Sequence, residues 1–176
     1  MAFSVNEFRS QMTGDGARPN LFEVSMPFPS FSSPANAQTK LTFMCKTAQL
    51  PGSTVGVVPV QYFGRELKFV GNRSFADWTI TIINDEDFVI RNAFERWMNE
   101  INNMTDNEGL TNPTDYQVDG LIDHLDRDGN SIKQYSFKGV FPTTLGDIAL
   151  DYTTANAVEA FDVTLSYQWF ETDTTT

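Results

Sequence analysis

One cysteine, one histidine and twelve basic side chains are all this 176-residue sequence offers of those types. Each shortage excludes something. A lone thiol, Cys45, forbids an intrachain disulfide. It follows the alternating run Leu41-Thr42-Phe43-Met44, in phase with Leu41 and Phe43, and is expected to be a buried structural thiol. A lone His124, preceded by Asp123, is too little for a nucleophilic triad or a histidine-based metal site. No apolar run approaches the roughly 20 residues that span a bilayer. The start, Met1-Ala2-Phe3-Ser4-Val5-Asn6, lacks the basic and apolar regions of a signal peptide. The chain is therefore expected to fold in a cytoplasm without inserting into a membrane.

Positive charge is also scarce. Twelve basic against 23 acidic residues give a net charge of −11, the wrong sign for gripping nucleic acid. The imbalance is uneven: residues 1–75 carry seven basic and four acidic side chains, residues 76–176 five and nineteen. Two readings fit. The acids form a solvated surface, or the two segments form complementary faces that favour head-to-tail association of copies.

Local motifs supply no chemistry either. Asp126-x-Asp128-x-Asn130 opens like a calcium loop, but that pattern needs Gly and Glu where the chain has Ser131 and Phe137. Asp128-Gly129 reads instead as a hairpin turn. Gly14-Asp15-Gly16 lacks the length and lysine of a phosphate loop. Acidic pairs such as Asp85/Asp87 and Asp106/Glu108 are what nineteen acids in a hundred residues produce by chance. No catalytic, cofactor-binding or metal-binding residue is expected, and no cofactor.

Aromatics, by contrast, are abundant: 15 Phe, 5 Tyr and 3 Trp. One domain spanning 1–176 can bury roughly 70% of its unfolded surface and needs no staple. Ser4-Val5-Asn6-Glu7 has capping-box spacing, and Val5, Phe8 and Met12 continue a short helix that ends before Gly14. Period-2 alternation predicts strands over 21–26, about 40–47, 77–83, 118–125, 131–140 and 158–170. Two runs, Val57–Phe63 and Glu66–Val70, flank Gly64-Arg65 as a hairpin, and Pro59 suits an edge. Ile90, Phe94, Trp97, Met98 and Ile101 form the apolar stripe of one long helix, with Asn84 or Asp85 as its cap. Residues 27–39 and 102–115 read as extended loops, and 172–176 as a frayed tail. Without βαβ alternation, the expected fold is mainly β: an antiparallel barrel or sandwich with one flanking helix and a short N-terminal helix.

Three ordered stretches carry a family resemblance. Ala17-Arg18-Pro19-Asn20-Leu21-Phe22 is followed by Cys45-Lys46 and Leu50-Pro51. Gly71-Asn72-Arg73-Ser74-Phe75 and Asp77-Trp78-Thr79-Ile80-Thr81 lead to Asn84-Asp85-Glu86. Lys138-Gly139-Val140-Phe141-Pro142-Thr143 precedes Gly146-Asp147-Ile148, Leu150-Asp151-Tyr152 and Phe161-Asp162-Val163-Thr164-Leu165. Together they resemble the tail tube proteins of contractile-tailed (myovirus) phages; the loop 27–39 and the end after Glu171 are longer than that pattern. The resemblance implies a virion tail component, assembled in the host cytoplasm, that forms hexameric rings stacked into a tube. Implied partners are other copies, a sheath, tape-measure, baseplate and tail-terminator proteins, with genomic DNA passing through the bore unbound during ejection. An acidic bore would repel the phosphates. Val58, Val60, Tyr62, Phe63, Leu67 and Phe69 are candidates for the inner barrel or ring interface, with ordinary core strands the plain alternative. Phe28 and Phe31 are candidates for an inter-ring contact or for packing on their own domain. Two other readings remain: a related secretion, bacteriocin or non-contractile tube, and a soluble β-sandwich that binds carbohydrate or protein.

Overall fold

The computed structural model describes residues 4–175. Its helices are α1 (Val5–Gln11), α2 (Ala37–Met44), α3 (Val89–Ile101) and α4 (Pro113–Tyr116). Its strands are β1 (Phe22–Ser25), β2 (Cys45–Ala48), β3 (Ser53–Tyr62), β4 (Arg65–Phe75), β5 (Trp78–Ile83), β6 (Val118–Leu125), β7 (Ser131–Leu145), β8 (Ala160–Ser166) and β9 (Trp169–Thr172). Every strand pairing is antiparallel, as the lack of βαβ units predicts. The main sheet runs β1-β6-β7-β8-β5-β2, with β9 also on β7.

Alternation places the core. Trp78, Ile80 and Ile82 on β5 and Phe161, Val163 and Leu165 on β8 are buried, while the residues between them are not. These side chains belong to one buried core cluster. Trp78 stacks on Phe137 of β7 at 4.1 Å between ring centroids, with the planes 8° apart. Gly120 makes room for that indole: a Cβ there would lie 3.2 Å from the ring of Trp78. Helix α3 adds the second layer through buried Ile90, Ala93, Phe94 and Trp97, one face at spacings of three and four. The Trp97 indole N–H donates to the Tyr116 carbonyl at 2.8 Å, which fastens α4 beside α3.

Several expectations need correcting. The segment predicted as a strand from Lys40 is helical to Met44, and only Cys45–Ala48 is strand. Ala37 and Leu41, four apart, bury the same helix face, whereas Phe43 is exposed. The loop predicted over 27–39 accordingly ends at Asn36. Cys45 is half-buried rather than fully enclosed, yet burial still pushes its thiol up to about 12. Helix α3 starts at Val89, after a left-handed Phe88 (φ 53°) with no side-chain cap. Asp85 and Asp87 shape the turn before it, where Asp87 accepts the Val89 N–H and both carboxylates accept from Lys40.

The long strand predicted over 158–170 is two strands in line along one edge of β7. β8 pairs with residues 141–145 and β9 with 135–138. The break falls at Tyr167-Gln168, opposite Gly139, whose φ is +65° and where a Cβ would meet the Gln168 side chain at 2.9 Å. The end of the chain is also tied: Thr172 is buried, its hydroxyl bonds Thr174 and Thr175, and Asp173 pairs with Lys133. Thr176 lies outside the described residues. At the other end, α1 forms as predicted, with the Ser4 hydroxyl accepting the Glu7 N–H at 3.4 Å.

Candidate assembly interface

β3 and β4 stand apart from the main sheet. They continue β2 and β5 outward, and Phe75 anchors their base against Tyr167 and Phe170, with centroids 6.0 and 5.5 Å away. Beyond that anchor the two strands pair only with each other, from Ser53–Phe75 to Tyr62–Arg65. Arms of this length reach roughly 35 Å at about 3.4 Å per residue. Gly56 and Gly71 sit at a bulge, where a Cβ on Gly71 would approach the Gly56 backbone to 3.1 Å. That approach is tighter than a Cβ usually makes, which suits glycine at both positions. At the tip, Phe63 (φ 45°) and Gly64 (φ 78°) both have positive φ, as a two-residue type I′ turn requires.

The register sorts the hairpin into two faces. Val58 opposes Phe69 and Val60 opposes Leu67 on one face, with Tyr62 next in line. The other face pairs Val57 with Val70, Pro59 with Lys68 and Gln61 with Glu66. There the Gln61 amide donates to Glu66 at 3.1 Å, and Lys68 lies 3.8 Å from Glu66. Five of the six candidates thus share one apolar face, and Phe63 occupies the tip. All six are exposed, so the alternative of ordinary core strands does not hold.

An uncovered two-stranded ribbon is marginal in water, and free edges invite pairing. Burying a Val, Leu or Phe side chain is worth about 1.5–3 kcal/mol, and these five are roughly half-covered already. Covering this face would therefore contribute on the order of 5 kcal/mol per subunit.

Phe28 is placed differently. It is buried within its own subunit, edge-on to Phe94 at 5.1 Å and to Trp97 at 6.0 Å. Phe31 is half-buried against the same core. Sequence reasoning missed two further exposed apolar groups. One is the outer face of α1, with Val5 and Phe8. The other is the loop 146–159 between β7 and β8, with Leu150, Tyr152 and Val158 exposed. Loops that long without secondary structure are uncommon and usually have a job, which is the signal that could have found it.

Residues that resemble catalytic or metal groups have structural uses. His124 sits in β6 opposite Phe22 and Lys133. Asp126 accepts the N–H groups of Asp128 and Asn130 and the Asn130 amide, and these bonds hold its carboxyl below the usual range. Among the described residues, no three His, Cys, Asp or Glu side chains gather as a metal-binding group.

The model of the phage tail tube protein family matches residues 17–173. Tail tube protein gp19 of Enterobacteria phage T4 is 31% identical over 164 residues, covering 93% of this chain and 96% of that protein. A tail tube protein of Serratia phage KSP90 is 32% identical over 166 residues, covering 93% and 94%. Solved structures share the fold at lower identity. A chain of the anti-feeding prophage baseplate superposes with a TM-score of 0.65 at 14% identity, covering 89% of this chain and 95% of its own. One from the extended sheath–tube complex of an extracellular contractile injection system gives 0.57 at 16%, covering 98% and 99%. The mainly antiparallel fold, the exposed ribbon and these relatives agree on a structural role rather than an enzymatic one. This chain belongs to the phage tail tube protein family, as a structural component of the virion tail.

Proposed function

We propose that this chain forms hexameric rings that stack into the inner tube of a contractile phage tail. In each ring, hairpin β3–β4 joins neighbouring subunits around the bore. The observation that carries this is the uncovered apolar face of Val58, Val60, Tyr62, Leu67 and Phe69 on a ribbon free at both edges. Turning that face onto neighbouring copies covers it, and pairing its edges completes a closed β-barrel without loose strands. Outer partners are the sheath along the tube and baseplate and terminator proteins at its ends. A tape-measure protein fills the bore before ejection, and genomic DNA passes through it unbound. The hairpin itself carries three basic residues and one acid, so the acids that repel DNA have to come from other segments.

Negative-stain microscopy of the purified protein tests this. Rings or tubes with a central bore are expected, and Val60→Asp combined with Leu67→Asp leaves a folded, unassembled subunit. A featureless wild-type monomer at high concentration, or unimpaired tubes from the double variant, would refute the reading.

A further inference from the structure

Two Asp-Gly steps lie close together in the chain: Asp119-Gly120 inside β6, and Asp128-Gly129 in the turn between β6 and β7. Glycine has no side chain to keep its amide nitrogen away from the preceding carboxyl. The two can therefore close a five-membered imide wherever the main chain is free to rotate. The fold treats the two steps differently.

Asp119 is locked. Its carboxylate accepts from Lys138 Nζ at 2.8 Å and from the Gly139 N–H at 3.2 Å. Gly120 is buried, lies opposite Phe137 in the ladder, and packs so close to Trp78 that a Cβ would meet the indole at 3.2 Å. Rotating this peptide would break the ladder and disturb the core. Asp128 is open. It is exposed, and among the described residues its carboxylate has no hydrogen-bond or ion-pair partner. A Cβ on Gly129 would meet nothing within 4 Å, and the Gly129 N–H reaches the Asp126 carbonyl only at 3.3 Å.

Asp126 restrains this second step. One of its carboxylate oxygens accepts the N–H groups of Asp128 and Asn130, both at 2.8 Å, and the other accepts the Asn130 amide at 3.1 Å. These bonds straddle the Asp128–Gly129 peptide and hold both its ends. The imide can close only when the turn opens locally.

We infer that Asp128 is a self-modification site of the folded subunit, isomerising through a cyclic imide with Gly129 at a rate set by the Asp126 clamp. The Gly129 amide nitrogen attacks Cγ of the protonated Asp128 carboxyl. A C–N bond forms, and the carboxyl OH leaves with the amide proton as water. Water then adds back to the ring. Addition at Cγ restores aspartate. Addition at the main-chain carbonyl carbon of Asp128 breaks its bond to nitrogen and leaves isoaspartate, with the chain running through Cγ. The water lost is regained, so mass is unchanged and no oxidant or cofactor is needed. One carbon is thereby added to the main chain of the turn that joins Leu125 to its ladder partner Ser131. A structural component of a virion is not replaced after assembly, so the change accumulates with the age of the particle.

Peptide mapping of the full chain after incubation in warm, mildly acidic buffer tests this. Trypsin cuts after Arg127 and Lys133, so the two steps fall in separate peptides, 97–127 and 128–133. Protein isoaspartyl methyltransferase with labelled S-adenosylmethionine marks the new α-carboxylate. In the folded chain the label should appear at Asp128 and not at Asp119, whereas the urea-unfolded chain should carry it at both. Asp126→Ala should speed labelling at Asp128 about tenfold, because the bonds that hold the turn closed are lost. Asp119 should stay unlabelled in that variant, which reports that the body remains folded. Asp128→Glu, which would need a six-membered ring, should leave peptide 128–133 unlabelled. Labelling of Asp119 as fast as Asp128 in the folded chain would overturn the inference. So would a folded chain unlabelled at Asp128 when the unfolded chain is labelled there, or an unchanged rate in folded Asp126→Ala. The contrast between folded and unfolded wild type decides the site whether or not the variant folds.

Discussion

Replacing Phe28 by alanine separates folding from assembly. The ring is buried and touches Phe94 and Trp97 edge-on, so its removal empties a space bounded by α3. Truncating a buried Phe costs about 3–5 kcal/mol, the lost transfer energy plus the cavity left behind. The two edge contacts, about 0.5–1.5 kcal/mol each, are the specific part of that loss. A domain of this size is stable by about 5–15 kcal/mol in all, so the variant should remain folded with a narrow margin. At about 2–4 °C per kcal/mol, the melting temperature should fall by roughly 6–20 °C. Urea unfolding of the dilute, unassembled subunit should show the midpoint falling with the slope unchanged, as expected for lost stability alone. A loss below about 1 kcal/mol with a defect confined to stacking would refute this, and would place Phe28 at a contact between rings.

Gly109→Ala should destabilise the subunit by about 1–3 kcal/mol, read by thermal melting. A Cβ there would fall 2.0 Å from the Ile101 carbonyl oxygen, so the loop after α3 has to shift from the helix end. An unchanged melt would show that this loop is free to move. Cys45 should react with a maleimide at pH 8 about a thousandfold more slowly than a free thiol, since a pKa of about 12 leaves little thiolate. Its reactivity should rise as pH approaches 12 or as the chain unfolds in denaturant. Fast labelling of the native subunit at pH 8 would contradict the burial that raises this pKa.

The parts of the fold with one unambiguous period were legible in the sequence. Trp78, Ile80 and Ile82 alternate, the α3 stripe recurs at three and four, and each sits where its period places it. The run Leu41–Cys45 was not, because Leu41 and Met44 fit a helix as well as Leu41 and Phe43 fit a strand. Neither helix start nearby announces itself: Asn36 and Phe88 occupy the cap positions of α2 and α3 in left-handed conformations, without a side-chain cap bond. The hairpin was visible from Gly64 and its flanking runs, but its exposure was not. Val58, Val60, Leu67 and Phe69 alternate like any core strand, and what distinguishes them is that nothing in the subunit covers them. The loop 146–159 was missed for the opposite reason. Its apolar residues have no period, so only their exposure marks them.

β7 is shared by both halves of the sheet. One stretch of fifteen residues pairs with β6 along one edge and with β9 and then β8 along the other. Residues 135–138 are bonded on both edges, by β6 and by β9, so their amides should exchange among the slowest in the subunit. The subunit then behaves mechanically as one block carrying a separate arm. In the proposed tube, force along the axis loads these bodies, and the compliance between them would reside in the β3–β4 ribbons.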